Sequence, residues 1–152
     1  MSIEARIAEL GLTLPEPAKP VASYVSYVQS GDQVTISGQL SNDANGGIKG
    51  TVGVDVTPEQ ALEAARLCGL NLIAQIKAAC DGDLDRVVRI VKLGGFVQAG
   101  PDFTAIPAVI NGCSDMMVEV FGDAGKHARS AVGVYKLPLG FAVEIDAIVE
   151  IR

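Results

Sequence analysis

Arg129 and Glu144 are the residues whose types and positions offer this chain the most chemistry. They lie on two segments, residues 129–136 and 141–151, that alternate apolar and polar side chains around Leu137-Pro-Leu-Gly140, the pattern of an antiparallel hairpin. Pairing Lys136 with Phe141 sets Val132 and Val134 against Ile145 and Val143 on a core face. The other face then carries Arg129, Ala131, Gly133 and Tyr135 across from Ile148, Asp146, Glu144 and Ala142. A guanidinium beside the short side chains of Ala131 and Gly133 is a planar donor fork with room for a small carboxylate. Glu144, across from Gly133, would order or activate a water beside it. The competing reading is a diagonal Arg129–Asp146 ion pair on a solvated sheet, and on these residues alone it is the better supported.

Other candidates are weaker. Tyr24 and Ser37 offer hydroxyl groups, although strands routinely display both types. Asn111 sits on the polar side of an otherwise apolar helix pattern and offers an amide, as many surface helices do. Cys113 falls on the apolar stripe of that helix and reads as a small core residue. His127 precedes Arg129 at a helix-to-strand junction and reads as a loop residue; with no second histidine it makes no metal site. No G-x-S-x-G, G-x-G-x-x-G or G-x-x-x-x-G-K-[ST] run is present, so neither a nucleophile elbow nor a glycine cradle for phosphates is expected.

The elements that must position these groups follow from periodicity and punctuation. Ile3, Ile7 and Leu10 keep helical spacing, and three prolines between Pro15 and Pro20 then enforce an extended linker. Tyr24–Val28 and Gln33–Ser37 predict a hairpin around 29–32 in which Val28 pairs with Gln33 and Tyr24 lies across from Ser37. Residues 41–47 form a loop, and 48–54 a short, glycine-weakened strand. Thr57-Pro58-Glu59-Gln60 is a capping box with proline at the first helical position. A long helix follows with its stripe on Leu62, Ala65, Gly69, Leu72, Ile76 and Ala79, ending at Asp81-Gly82. Residues 85–97 predict a strand with a bulge or a close backbone approach at Gly94-Gly95, and 106–121 a second long helix. The order predicts an α+β domain with a mixed β-sheet and two helices packed on one face. The other face, left without helices, calls for a partner copy.

Composition narrows the function classes. A chain of 152 residues with 49% hydrophobic content suits one core. We divide it into an N-terminal helix and proline-rich linker, 1–20, and a folded domain, 21–152. The net charge of -6 argues against nucleic-acid binding, because phosphate neutralisation needs a basic surface. Three cysteines without a CxxC and one histidine argue against structural metal and against a disulfide framework. No apolar run approaches membrane-spanning length and the N-terminal segment carries Glu4, Arg6 and Glu9, so a soluble, cytoplasmic, membrane-free protein is expected.

Two separated motifs carry a family resemblance. Ala128-Arg129-Ser130-Ala131-Val132-Gly133-Val134, with Leu137-Pro138 and Val143-Glu144-Ile145-Asp146-Ala147-Ile148, resembles the C-terminal signature of the Rid/YjgF family, the reactive-intermediate deaminases also called endoribonuclease L-PSP. Tyr24-Val25 through Ile36-Ser37-Gly38-Gln39-Leu40 resembles that family's first hairpin. The similarity spans residues 21–152, and the preceding helix and linker resemble the extension of a longer subgroup. It implies a chorismate-mutase-like (bacillar) fold, a homotrimer with ligand pockets between subunits, and no metal or organic cofactor. It further implies hydrolysis of 2-imino or enamine acids to 2-keto acids and ammonia. Arg129 would grip the substrate carboxylate and Glu144 position the water, while Tyr24, Ser37, Gly38, Asn111 and Ala131 line the pocket. Ala131 replaces a cysteine frequent in the family, the stretch from Asn111 to Arg129 is one residue longer, and Tyr135 stands where a small residue is common. Two further expectations stay open: a trimer that binds small carboxylates or keto acids without turnover, and the RNA cleavage or translation inhibition attached to the family name.

Overall fold

A computed structural model describes residues 1–152. Ser2 caps a short helix, α1 (Ile3–Glu9), through its side chain, and Ile7 from this helix reaches the core. The capping box forms as expected, with Thr57 and Gln60 exchanging side-chain-to-backbone bonds at the start of α2 (Pro58–Ala79). The second long helix, α3, spans Ile106–Phe121. Five strands, β1 (Tyr27–Ser30), β2 (Gln33–Leu40), β3 (Val87–Gln98), β4 (Ala128–Val134) and β5 (Val143–Ile151), form one mixed sheet in the order β1-β2-β5-β3-β4. Along β5, Val143, Ile145, Ala147, Val149 and Ile151 are buried while the residues between them are half-exposed. This alternation gives the sheet a core face under α2 and α3 and an open face without helices.

The expected β4–β5 hairpin does not form. β4 pairs in parallel with β3 alone, and β5 lies between β2 and β3, antiparallel to both. The connection from β4 instead crosses the end of β3, where the buried Gln98 accepts from the Leu137 N–H (2.8 Å) and donates to the Gly50 carbonyl (2.9 Å). Alternation identified both strands and the buried face of β5 but inverted β4: Val132, expected in the core, is 46% exposed on the open face, while Arg129, Ala131 and Gly133 take the core-face rows of Leu93, Gly95 and Val97. The inversion follows from the missing hairpin, since a four-residue punctuation mark is equally able to skip one neighbour some 5 Å wide.

Three local expectations also shift. The first hairpin turns tightly at Gly31-Asp32, so Ser30 rather than Val28 opposes Gln33; Gly31 has φ 62°, which suits the first central position of a two-residue turn. The strand runs Tyr27–Ser30 rather than Tyr24–Val28, and the two-residue change keeps the paired side chains on their expected faces but places Ser26, not Tyr24, beside Ser37. Residues 48–54 make only isolated bridges, because Gly50 and Gly53 turn left-handed at φ 125° and 87°. The register shifts of β3 fall near its start, whereas Gly94 and Gly95 run in register as close approaches: an added Cβ at Gly95 would stand 2.7 Å from Ile110. On α2, Leu62 remains 42% exposed while Ala61, Ala64, Cys68 and Ile73 join the core, since this helix packs on both the sheet and α3.

Candidate active site

The sheet separates the predicted site residues into two groups. Arg129 pairs across β3 with Leu93, which in turn faces Ala147, so its row belongs to the core face. Glu144 pairs with Phe96, which faces Val132, and that row belongs to the open face. Glu144 is therefore not opposite Gly133, and within one protomer it does not share a face with Arg129. Ala131 and Gly133 do share the Arg129 face, Gly133 lying under Ile106 of α3.

Arg129 stands on the edge strand and reaches α3. Its Nη1 donates to Asn111 Oδ1 (2.8 Å) and to Ser114 Oγ (3.1 Å). Nε and Nη2 have no partner in the protomer, and the ion pairs of the chain are Arg6–Glu9, Arg66–Glu63, Arg86–Asp81 and Lys126–Asp123. The Arg129–Asp146 bridge is thus absent, Asp146 lying on the open face against Gly94. Asn111 is brought to the arginine despite the longer spacing. Its charge remains undischarged by any carboxylate, and the Nε–Nη2 edge is the one that receives a carboxylate side-on.

Tyr24, Ser37 and Gly38 line a second cleft of about 270 Å³ with Ser26, Gln39 and Asn42. Its other wall is the N-terminal segment Ala18–Val21, which supplies Lys19, the one charged residue of the lining. Two bonds hold this strap: Gln75 Nε2 and Ser26 Oγ both donate to the Ala18 carbonyl, at 2.9 and 3.1 Å. The Ser37 hydroxyl donates to the Val25 carbonyl (2.6 Å), leaving its lone pairs rather than its proton for a ligand. Tyr24 is 57% exposed. Gly38 joins this cleft to Glu144, whose carboxyl carbon would stand 2.8 Å from any Cβ added there. Burial, and then the negative charge of Asp146, push the Glu144 pKa up. Asp146 is likewise raised by burial, against opposing effects of the Gly94 backbone and Lys92.

Sequence reasoning did not raise Ser114, read His127 as a loop residue, and gave the proline-rich linker no part in the site. Asn111 and Ser114 stand three apart on one helix face, and His127 lies just before β4, two residues from Arg129, a pairing that becomes meaningful only once α3 is known to cover β4. The thiols of Cys68 and Cys113 are buried and raised by that burial, Cys113 to about 12, so both are core groups.

A family model described as "YjgF/chorismate_mutase-like, putative endoribonuclease" matches residues 4–148. The chain belongs to the YjgF family. It is 49% identical over 152 residues to protein TCP17 of Trypanosoma cruzi, a match covering 99% of this chain and 94% of that one. It is 29% identical over 141 residues to a 2-iminobutanoate/2-iminopropanoate deaminase of Dermatophagoides farinae, with coverage of 93% and 95%. A crystal structure of an Agrobacterium tumefaciens protein of unknown function superposes with a TM-score of 0.93 at 46% identity, covering 99% of this chain and 92% of that one. The mixed α+β fold is that of this YjgF family, and no helix is long and apolar enough to cross a membrane.

Proposed function

We propose that this YjgF-family chain is a hydrolytic deaminase of small 2-imino acids. The observation that carries the reading is the Arg129 guanidinium, held through Nη1 by two neutral acceptors with its Nε–Nη2 edge unpaired. Such an edge binds a planar carboxylate through two parallel charge-assisted bonds. Similarity to a relative named as an imine deaminase supports the substrate class.

In this reading the active unit is a homotrimer. The open face carries exposed Val28 and Val132, and β4 is a sheet edge with one strand neighbour. Arg129 of one copy then meets the Tyr24, Ser37, Gly38 and Glu144 group of the next, which joins the two halves that one protomer keeps on opposite faces. With the substrate carboxylate on Arg129, a water oxygen bonds to C2 of the imine while Glu144 takes one water proton and passes it to nitrogen. The resulting carbinolamine collapses: its hydroxyl proton goes to Glu144 and on to the leaving nitrogen, the C–N bond breaks, and 2-keto acid and ammonia depart. A carboxyl whose pKa is raised by burial is better matched to both proton transfers than an ordinary one.

Turnover of freshly generated 2-iminopropionate tests the reading. Wild type is expected to exceed Arg129→Ala by about a hundredfold or more in kcat/KM, the scale of losing a bidentate charged contact. Equal rates would overturn it, and saturable pyruvate binding without turnover would leave a carboxylate-binding trimer in its place. The family model's description also names an endoribonuclease. The half-buried carboxyls Glu144 and Asp146 on the open face and the net charge of -6 both repel a phosphate backbone and disfavour that activity.

A further inference from the structure

The two Nη1 contacts of Arg129 are not equivalent, because Ser114 is itself held. His127 Nε2 lies 2.9 Å from Ser114 Oγ, and His127 Nδ1 lies 2.6 Å from the Gly125 carbonyl oxygen. A carbonyl can only accept, so Nδ1 carries a hydrogen and donates it. In the neutral ring Nε2 is then an acceptor, and the one hydrogen of the Ser114 hydroxyl points to it. The lone pairs of Oγ are thereby turned toward Arg129, whose Nη1–H they receive at 3.1 Å.

We propose that Ser114 and His127 are positioning residues that aim the side-on edge of Arg129. The chain of donors runs in one direction, Arg129 to Ser114 to His127 to the Gly125 carbonyl, and includes no acidic side chain. Two consequences follow for that guanidinium. Its plane is set by two acceptors from successive turns of α3, Asn111 and Ser114, and cannot rotate about the end of the side chain without losing one of them. Its positive charge is kept whole for an incoming anion, because no carboxylate takes part. The origin of the relay is rigid: Gly125 is buried, and a Cβ there would collide with the Met117 backbone of α3. An anchoring carbonyl supplied by a residue that cannot be enlarged fixes the imidazole, and the imidazole fixes the serine rotor. A serine without the histidine would be free to donate to Asn111 or to solvent, presenting its hydrogen rather than a lone pair to the cation.

The kinetic consequence rests on the carboxylate reading of Arg129, whereas the relay itself is testable without it. The chain holds a single histidine, so its imidazole nitrogen spectrum belongs to one ring. Nitrogen-15 NMR of the full-length protein at pH 8 is expected to show Nδ1 protonated and Nε2 bare, and the opposite tautomer would overturn the relay. Ser114→Ala should keep that tautomer, which the Gly125 carbonyl sets, but raise KM for 2-iminopropionate about tenfold with kcat within about twofold, the scale of losing one hydrogen bond to a charged group. Ser114→Thr, which keeps the hydroxyl, should restore the wild-type KM. If Ser114→Ala folds with an unchanged melting temperature and an unchanged KM, the positioning role is wrong. If wild type turns over no imine, the Kd of pyruvate replaces KM in the same comparison. Loss of pyruvate affinity in Arg129→Ala but not in Ser114→Ala would sink the relay alone, and loss in neither would sink the carboxylate reading.

Discussion

Glu144 shows how a residue's surroundings, more than its type, decide what it can do. Its carboxyl makes no hydrogen bond or ion pair within the protomer, is half-buried, and has Asp146 two positions along the same face. Both burial and the like charge favour its protonated form. If it is the group that takes the water proton, activity should rise with pH through an acid limb centred above the ordinary carboxylate range. Asp146→Asn removes the like charge, which favours ionisation and should move that limb to lower pH. Glu144→Gln should abolish the limb and lower kcat by about a hundredfold or more. A pH profile of kcat/KM in the three proteins checks all of this, and an unmoved limb in Asp146→Asn would assign it to another group. Gly38 explains why the carboxyl lies where it does, because a side chain there would occupy its place.

At the scale of elements, the N-terminal strap is the least expected feature of the site. Its prolines forbid a helix, and the resulting extended chain lies along α2, tied by the bond from Gln75 to the Ala18 carbonyl. Gln75 is only 1% exposed, so its amide must be satisfied by protein. Gln75→Ala should cost about 1–2 kcal/mol in denaturant unfolding, the ordinary value of one buried hydrogen bond. It should also open residues 14–26 to limited proteolysis well before the sheet. Protection equal to wild type would mean that the Ser26 bond suffices to hold the strap. Helix α3 plays the complementary part, carrying Asn111 and Ser114 over β4 in a β3–α3–β4 unit whose strands are parallel.

For the molecule as a whole, the separation of Arg129 and Glu144 onto opposite sheet faces has a sharp consequence under the proposed assembly. Each site would draw its cation from one copy and its proton-transferring carboxyl from another. Arg129→Ala and Glu144→Gln, each strongly impaired alone, should regain part of wild-type activity after being unfolded and refolded together, because some mixed sites receive both intact residues. Counting active sites against mixing ratio checks this; mixtures with no activity above the separate variants would place both groups in one copy. Sedimentation of each variant establishes that assembly survives the substitutions.

The sequence by itself determined where the long helices and most strands fall and which face most residues outside β4 take, since these follow from two- and 3.6-residue periods, caps and turn chemistry acting over a few positions. Thus Thr57 and Gln60 announced α2, and the alternation of 143–151 announced β5. Arg129, Asn111, Tyr24 and Ser37 were legible as candidates from residue type and position, and Gly38 from the family resemblance. What the tertiary structure alone decided was adjacency: that β3 stands between β4 and β5, that α3 lends Ser114 to Arg129, and that residues 18–21 wall a cleft. Alternation says which way a side chain points but carries no label for its neighbouring strand. That choice is made by long-range burial and by the hydrogen bonds of groups such as Gln98, which bind residues dozens of positions away.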